Sequence, residues 1–176
     1  MNYKIIKPAG IDEQIQYSQG ILYDNLVSKW GSLDVYGRIR KNPTQTTGFY
    51  PEAYIGDNEY RDLYMNDEVN ATICFIEDEK DHTTDEFNIF YFATGKFVVM
   101  VNLKKCYPNI AHRADSECQI DVMNQLKKNK MFEISGVQKG LQNIFKGFNI
   151  EKISLDDMHP YHIFAITGSI KYKINC

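Results

Sequence analysis

Between Phe87 and Leu103 the chain reads FNIFYFATGKFVVMVNL, seventeen residues in which most positions are aromatic, β-branched or large and aliphatic. Apolar residues fall on both alternating faces, the composition of a strand near the middle of a sheet, so the rest of the chain must cover two faces rather than one. At roughly 3.3 Å per residue the run would extend about 55 Å, well beyond a usual strand. It is therefore expected to bend, bulge or turn near Thr94-Gly95-Lys96, as one bent strand rather than a hairpin. Pro108 ends the extended segment. Asp115, Cys118, Val122 and Leu126 then recur at helical spacing. Acidic Asp115, Glu117 and Asp121 come early, and Lys127, Lys128 and Lys130 late, as the helix dipole favours.

The flanking segments supply the cover. Ile11, Ile15, Leu22 and Leu26 form one stripe, with Asp12 and Glu13 at its start, which predicts an amphipathic helix over about 11–28 that Trp30 and Gly31 close. Leu33, Val35 and Ile39 alternate with Asp34, Tyr36, Arg38 and Arg40 as a strand, and KNPTQTTG from Lys41 to Gly48 has the composition of a loop. Phe49 to Tyr64 is aromatic and irregular, with Tyr50, Tyr54, Tyr60 and Tyr64 spread among Pro51, Gly56 and several acids. Tyrosine gives large amphipathic area at low rotamer cost, so an exposed cluster suits an interface and a buried one a core flap. Ala71 to Ile76 is a strand, and EDEKDHTTDE from Glu77 to Glu86 joins it to the apolar run as a hairpin with a long tip. Val137, Leu141, Ile144, Phe145 and Phe148 suggest a second short helix with Gly147 near its end. Phe164, Ile166, Ile170, Tyr172 and Ile174 share one face of a last strand over Tyr161–Ile174. The fold class is α+β, a mostly antiparallel sheet with helices packed on one face, in a single domain of residues 1–176 with protruding loops at about 41–48 and 77–86.

Charge is unevenly spread. Residues 57–86 carry eleven acids against Arg61 and Lys80, whereas residues 87–176 carry twelve bases against seven acids, within an overall net charge of −3. Opposite charges in different segments suit head-to-tail association of copies, or cancel locally on solvated faces. The four cysteines show no metal spacing and read as reduced thiols of a cytoplasmic product, and no stretch approaches a membrane span or opens a signal peptide.

Reactive constellations are few. Asp156, Asp157, His159 and His162 could bind a divalent metal, but an extended backbone after Pro160 puts the two histidines on opposite faces. The Glu77–Glu86 loop lacks the ligand pattern of a calcium site. His112 with Asp115 at the helix start, near Cys106, could be drawn as a nucleophile and base, but a lone pair of that kind more often caps a helix and no third group orients it. Lys104, Lys105 and Arg113 form a basic patch too small for nucleic-acid readout. No catalytic, cofactor-binding or metal-ligating residue is therefore assigned.

The segments FVVMVNLKKCYPNIAHRADSECQIDVMNQL and DMHPYHIFAITGSIKYKI resemble the small neck proteins of tailed bacteriophages, above all ring proteins of the crAss-like phages. The likeness extends to the tail-terminator and tail-completion fold, rests on VNL, RAD and PYH at their positions in this chain, and runs from about Ile5 to Ile174. The Phe49–Tyr64 segment departs from the minimal tail-terminator pattern. The resemblance implies a structural virion protein: a homo-oligomeric ring, twelvefold favoured over sixfold, joining portal or head to tail. Its neighbours would be portal, adjacent ring or tail proteins, with genomic DNA only passing through the channel and no membrane contact. Assembly would take place in the bacterial cytoplasm. Contacts are expected from Tyr50, Tyr54, Tyr60, Tyr64, Glu77, Asp78, Glu79, Asp81, Lys104, Lys105 and Arg113, the acidic hairpin facing either the channel or a neighbour. The alternatives are a small metal-dependent phage accessory enzyme using the 156–162 cluster and a cytoplasmic adaptor.

Overall fold

A computed structural model describes residues 1–46, 48–63, 68–151, 153 and 157–173. The long apolar run becomes β6 (Tyr91–Asn102), with β4 (Ala71–Glu77) antiparallel on one side and β8 (Tyr161–Tyr172) antiparallel on the other. Pairing with β8 runs unbroken from Tyr91↔Tyr172 to Asn102↔Tyr161. The expected bulge or turn at Gly95 is therefore absent from this ladder. The length problem is solved at the ends instead: Phe87–Phe90 lies in a turn before the strand, and Leu103 opens the short helix α2 (Leu103–Cys106).

The remaining strands extend this centre. β1 (Leu33–Arg40) runs parallel to β4, and β2 (Glu52–Gly56) and β3 (Glu59–Asp62) form an antiparallel hairpin on its far side. β7 (Phe132–Lys139) pairs antiparallel with β8, and β5 (Thr83–Thr84) pairs with the start of β6 beyond the end of β4. The order is β3-β2-β1-β4-β6-β8-β7. The sheet is thus mostly antiparallel and the class is α+β.

Alternation on β6 divides its side chains between two cores. Ala93, Phe97, Val99 and Val101 face the layer containing Ile15, Leu22 and Leu26 of α1 (Ile11–Trp30) and Cys118, Val122 and Leu126 of α3 (Asp115–Leu126). Val98 and Met100 face the opposite layer, where Ile144 of α4 (Leu141–Ile144), Phe145 and Ile153 cover them. Both long helices lie on one face, as expected, but the other face carries its own cover.

Two segments differ from their sequence reading. The irregular stretch after Phe49 contains the β2–β3 hairpin, whose two-residue loop, Asp57 and Asn58, has positive φ at both positions, as a tight hairpin of primed type requires. Val137 belongs to β7 rather than to a second helix, because Gly140 at φ 85° breaks the backbone before Leu141 and leaves a helix of four residues. Ile174 of the predicted last strand lies outside the described residues.

Candidate interaction surfaces

The Glu77–Glu86 segment is tied into the fold through its first acid. Arg38 on β1 bridges Asp12 of α1, at 2.8 Å, and Glu77 at the end of β4. Burial works against the Arg38 charge, but the two carboxylates together hold its pKa above the ordinary guanidinium range. Glu77 also meets His82 Nε2 at 2.7 Å, and His82 Nδ1 lies 2.5 Å from the Tyr172 hydroxyl. Glu79 pairs with Lys41 across solvent, and that ammonium lowers its pKa. Of the four acids predicted as contacts, Asp78 and Asp81 alone make no ion pair among the described residues. His82, which links the loop to β8, carried no signal in the sequence beyond its place in a polar loop.

The tyrosines split. Tyr54 and Tyr60 meet edge to face at 5.4 Å across the β2–β3 hairpin and, with Tyr3, wall a cavity of about 420 Å³ whose floor is Asp12, Arg38 and Arg40. Tyr50 sits apart, its hydroxyl 3.5 Å from Asn149 Nδ2. Tyr64 lies outside the described residues.

The predicted basic patch is only partly basic. Lys104 and Arg113 line one hollow, with Lys105 beside it in sequence on the exposed side of α2. Arg113, however, forks onto Asp115 through Nε at 2.8 Å and reaches Asp157 through Nη2 at 2.7 Å. These bonds raise its pKa and neutralise its charge locally.

Asp157 also accepts from His162 Nδ1 at 2.8 Å, while Gln119 Nε2 lies 2.9 Å from His162 Nε2. His162 is 1% exposed on β8, whereas His159 is exposed in the turn before it. The two histidines of the candidate metal cluster thus stand in different environments. Asp156 lies outside the described residues, and among those described no group of three or more His, Cys, Asp or Glu is arranged to hold a metal ion. Burial tends to raise the Asp157 pKa, but His162 and Arg113 outweigh it and the net shift is downward. His112 pairs with Glu117 at 2.8 Å instead of meeting Cys106, which is buried near the Trp30 and Asn70 carbonyls.

Lys96, 7% exposed on β6, bonds Gln138 Oε1 at 2.9 Å and the Asn143 carbonyl at 3.1 Å. Burial lowers its pKa. The sequence marks it only as part of the Thr94-Gly95-Lys96 bend.

The least expected surface is the turn ahead of β6. Phe87 is 76% exposed and Ile89 53%, although the run that contains them reads as a buried strand. At the two ends of the sheet the charges oppose. The hairpin from Glu52 to Asp62 carries four acids against Arg61, and Lys127 to Lys139 carries four lysines against Glu133. No helix among the described residues is long and apolar enough to cross a membrane. Comparison with known proteins finds no family model that matches the chain and no curated protein with significant similarity to it.

Proposed function

We propose that this chain is a structural subunit of a homo-oligomeric ring in the neck of a tailed bacteriophage, joining portal or head to tail around the DNA channel. The observation that carries the reading is the polarity of the sheet. Among the described residues its end strands, β3 and β7, each have a single neighbour, and the regions around them differ in net charge, −3 from Glu52 to Asp62 and +3 from Lys127 to Lys139. An open strand edge is a template for pairing, and unlike ends on one subunit favour the heterologous contact that closes into a ring. Opposite charge fixes which end meets which and speeds the encounter. Twelve copies are favoured and six close through the same kind of contact. Asp78 and Asp81, which make no ion pair among the described residues, would face the channel or an adjoining ring.

Charge reversal tests this. Lys128→Glu with Lys130→Glu alters only exposed side chains beside β7, and Glu59→Lys with Asp62→Lys only exposed ones on β3. Light scattering on the wild type is expected to give a ring-sized mass that falls as salt rises, since screening at 0.1 M already acts over about 10 Å. Each reversed chain alone should remain small. Mixing the two chains should restore opposite charge at both kinds of contact, native at one and exchanged at the other, and return the ring-sized mass with the two chains alternating. A wild type that remains monomeric at every concentration, or reversed chains that assemble as it does, would refute the reading.

A further inference from the structure

We propose that the exposed turn from Asp85 to Phe90 is a preformed knob that seats in the cavity beside the β2–β3 hairpin of a second copy of this chain; the proposal rests on the ring reading and names one of its contacts. The turn is held open to solvent by its own hydrogen bonds. Asp85 Oδ1 accepts from the backbone N–H of Ile89 at 2.8 Å and of Phe90 at 3.1 Å, and the Asp85 N–H donates to the Phe90 carbonyl at 3.0 Å. Thr84 Oγ1 donates to Asn88 Oδ1 at 2.9 Å, and Asn88 takes the left-handed backbone, φ 52°, that lets the chain reverse. Pairing of Thr83 and Thr84 with β6 then fixes the turn to the strand end. Phe87 and Ile89 consequently project outward and join neither core. Fixing apolar side chains in place before they meet a partner removes most of the ordering cost of binding.

The cavity complements the knob in size and charge. Its volume, about 420 Å³, lies in the range of sites that enclose small ligands, and Tyr3, Ile15, Tyr54 and Tyr60 give it apolar walls. On its floor the Arg40 side chain is 49% exposed and makes one long contact, 3.4 Å, to an Asp12 oxygen that Arg38 already holds at 2.8 Å. Arg40 therefore has donors to spare. Glu86, next to Phe87, makes no hydrogen bond or ion pair among the described residues, so an acid arrives with the apolar pair where a cation waits.

The placement requires two molecules. β6, which carries the knob, is separated from β2 by β4 and β1, and the turn is pinned at its strand end, so it cannot fold into its own cavity. Knob and cavity both lie at the end of the sheet where β1 and β4 finish and β6 begins, so every copy offers one of each at the same level. A surface feature complementary to a different patch on the same molecule makes a heterologous contact, which repeats from copy to copy.

The test combines cross-linking with mass. In a Cys176→Ser background, Phe87→Cys together with Gln16→Cys places one thiol on the knob and one on the cavity rim; the described native cysteines are buried. A short bis-maleimide is expected to give a ladder of dimers, trimers and larger species from the double variant and none from either single variant. Phe87→Ser with Ile89→Ser, changes at exposed positions, is expected to weaken assembly at least tenfold in light scattering while circular dichroism stays unchanged. Unaltered assembly of the serine variant without a ladder overturns the knob and leaves the ring reading standing. Unaltered assembly combined with lost co-sedimentation on phosphatidylserine vesicles assigns the turn to a lipid surface and also overturns it. A wild-type chain that stays monomeric removes both proposals.

Discussion

Gly95 on β6 and Gly168 on β8 face each other across the ladder, on the side of the sheet that packs against α1 and α3. A methyl group at Gly95 would lie 2.6 Å from the Ile76 carbonyl oxygen and 2.9 Å from Phe75 Cε1, and one at Gly168 would lie 2.7 Å from Phe132 Cε2. The missing side chains make room for rings from the strands on either side: Phe75 and Phe132 each meet Phe97 edge to face, at 5.0 and 5.2 Å. Overpacking a core by one methyl costs about 1–3 kcal/mol, and here the upper end applies because one of the obstacles is backbone and cannot turn aside. Alanine recovers about 0.5–1 kcal/mol over glycine through the unfolded chain. The net loss for Gly95→Ala is therefore about 2 kcal/mol, which for a chain of this size lowers Tm by about 4–8 °C. Gly20→Ala is the matched control. Among the described residues outside its own helix backbone and chain neighbours nothing lies within 4 Å of a methyl there, in the middle of α1, so the same change should stabilise by about 0.5–1 kcal/mol. Thermal and urea unfolding of both variants measure the two effects. A Gly95→Ala protein as stable as the wild type, or a Gly20→Ala protein destabilised like it, would refute the account of Gly95 as the space that the Phe75 ring fills.

Two further predictions concern titrating groups. Because His162 and Arg113 hold the Asp157 pKa below its unfolded value, its contribution is complete above the ordinary carboxylate pKa of about 3.9 and is lost as pH falls through the lowered one. Asp157→Asn should accordingly cost about 1 kcal/mol at pH 7, discounted for an aspartate one-third exposed, and almost nothing near pH 2, by urea unfolding at each pH. Burial pushes the thiols of Cys74 and Cys106 up to about 12 and that of Cys118 well above its usual value. Maleimide followed by mass spectrometry should leave all three unmodified in the native protein and label them once it is unfolded.

Helical periodicity and strand composition made α1, α3, β1, β4, β6 and β8 legible, because in each the buried face is continuous along the sequence. β7 was not, since Val137, Leu141, Ile144, Phe145 and Phe148 also satisfy a helical period, and only the backbone break at Gly140 assigns Val137 to a strand. The β2–β3 hairpin did leave a signal in Gly56-Asp57-Asn58, residues that tolerate positive φ, but the aromatic residues around it obscured the alternation. The surface was less readable still. Asp85 and Asn88 mark a turn by type, yet composition alone runs Phe87 and Ile89 straight into the strand. The link from Asp12 through Arg38 and Glu77 to His82 joins positions up to seventy residues apart, and no local pattern announces such a set.

That link also explains why the proposed contact can be specific. Arg38 stands in the floor of the cavity and, through Glu77 and His82, reaches Tyr172, which stacks on Tyr91 at the first residue of β6, directly behind the turn. Cavity and knob therefore sit on one hydrogen-bonded frame, braced within the sheet by the rings that fill the space over Gly95 and Gly168. A ring closes only if each contact repeats the same rotation, and an error at one contact accumulates around the circle. Flexible tips would spread that rotation. A turn fixed by its own hydrogen bonds, on a strand fixed to the floor of the cavity, confines it to a narrow range.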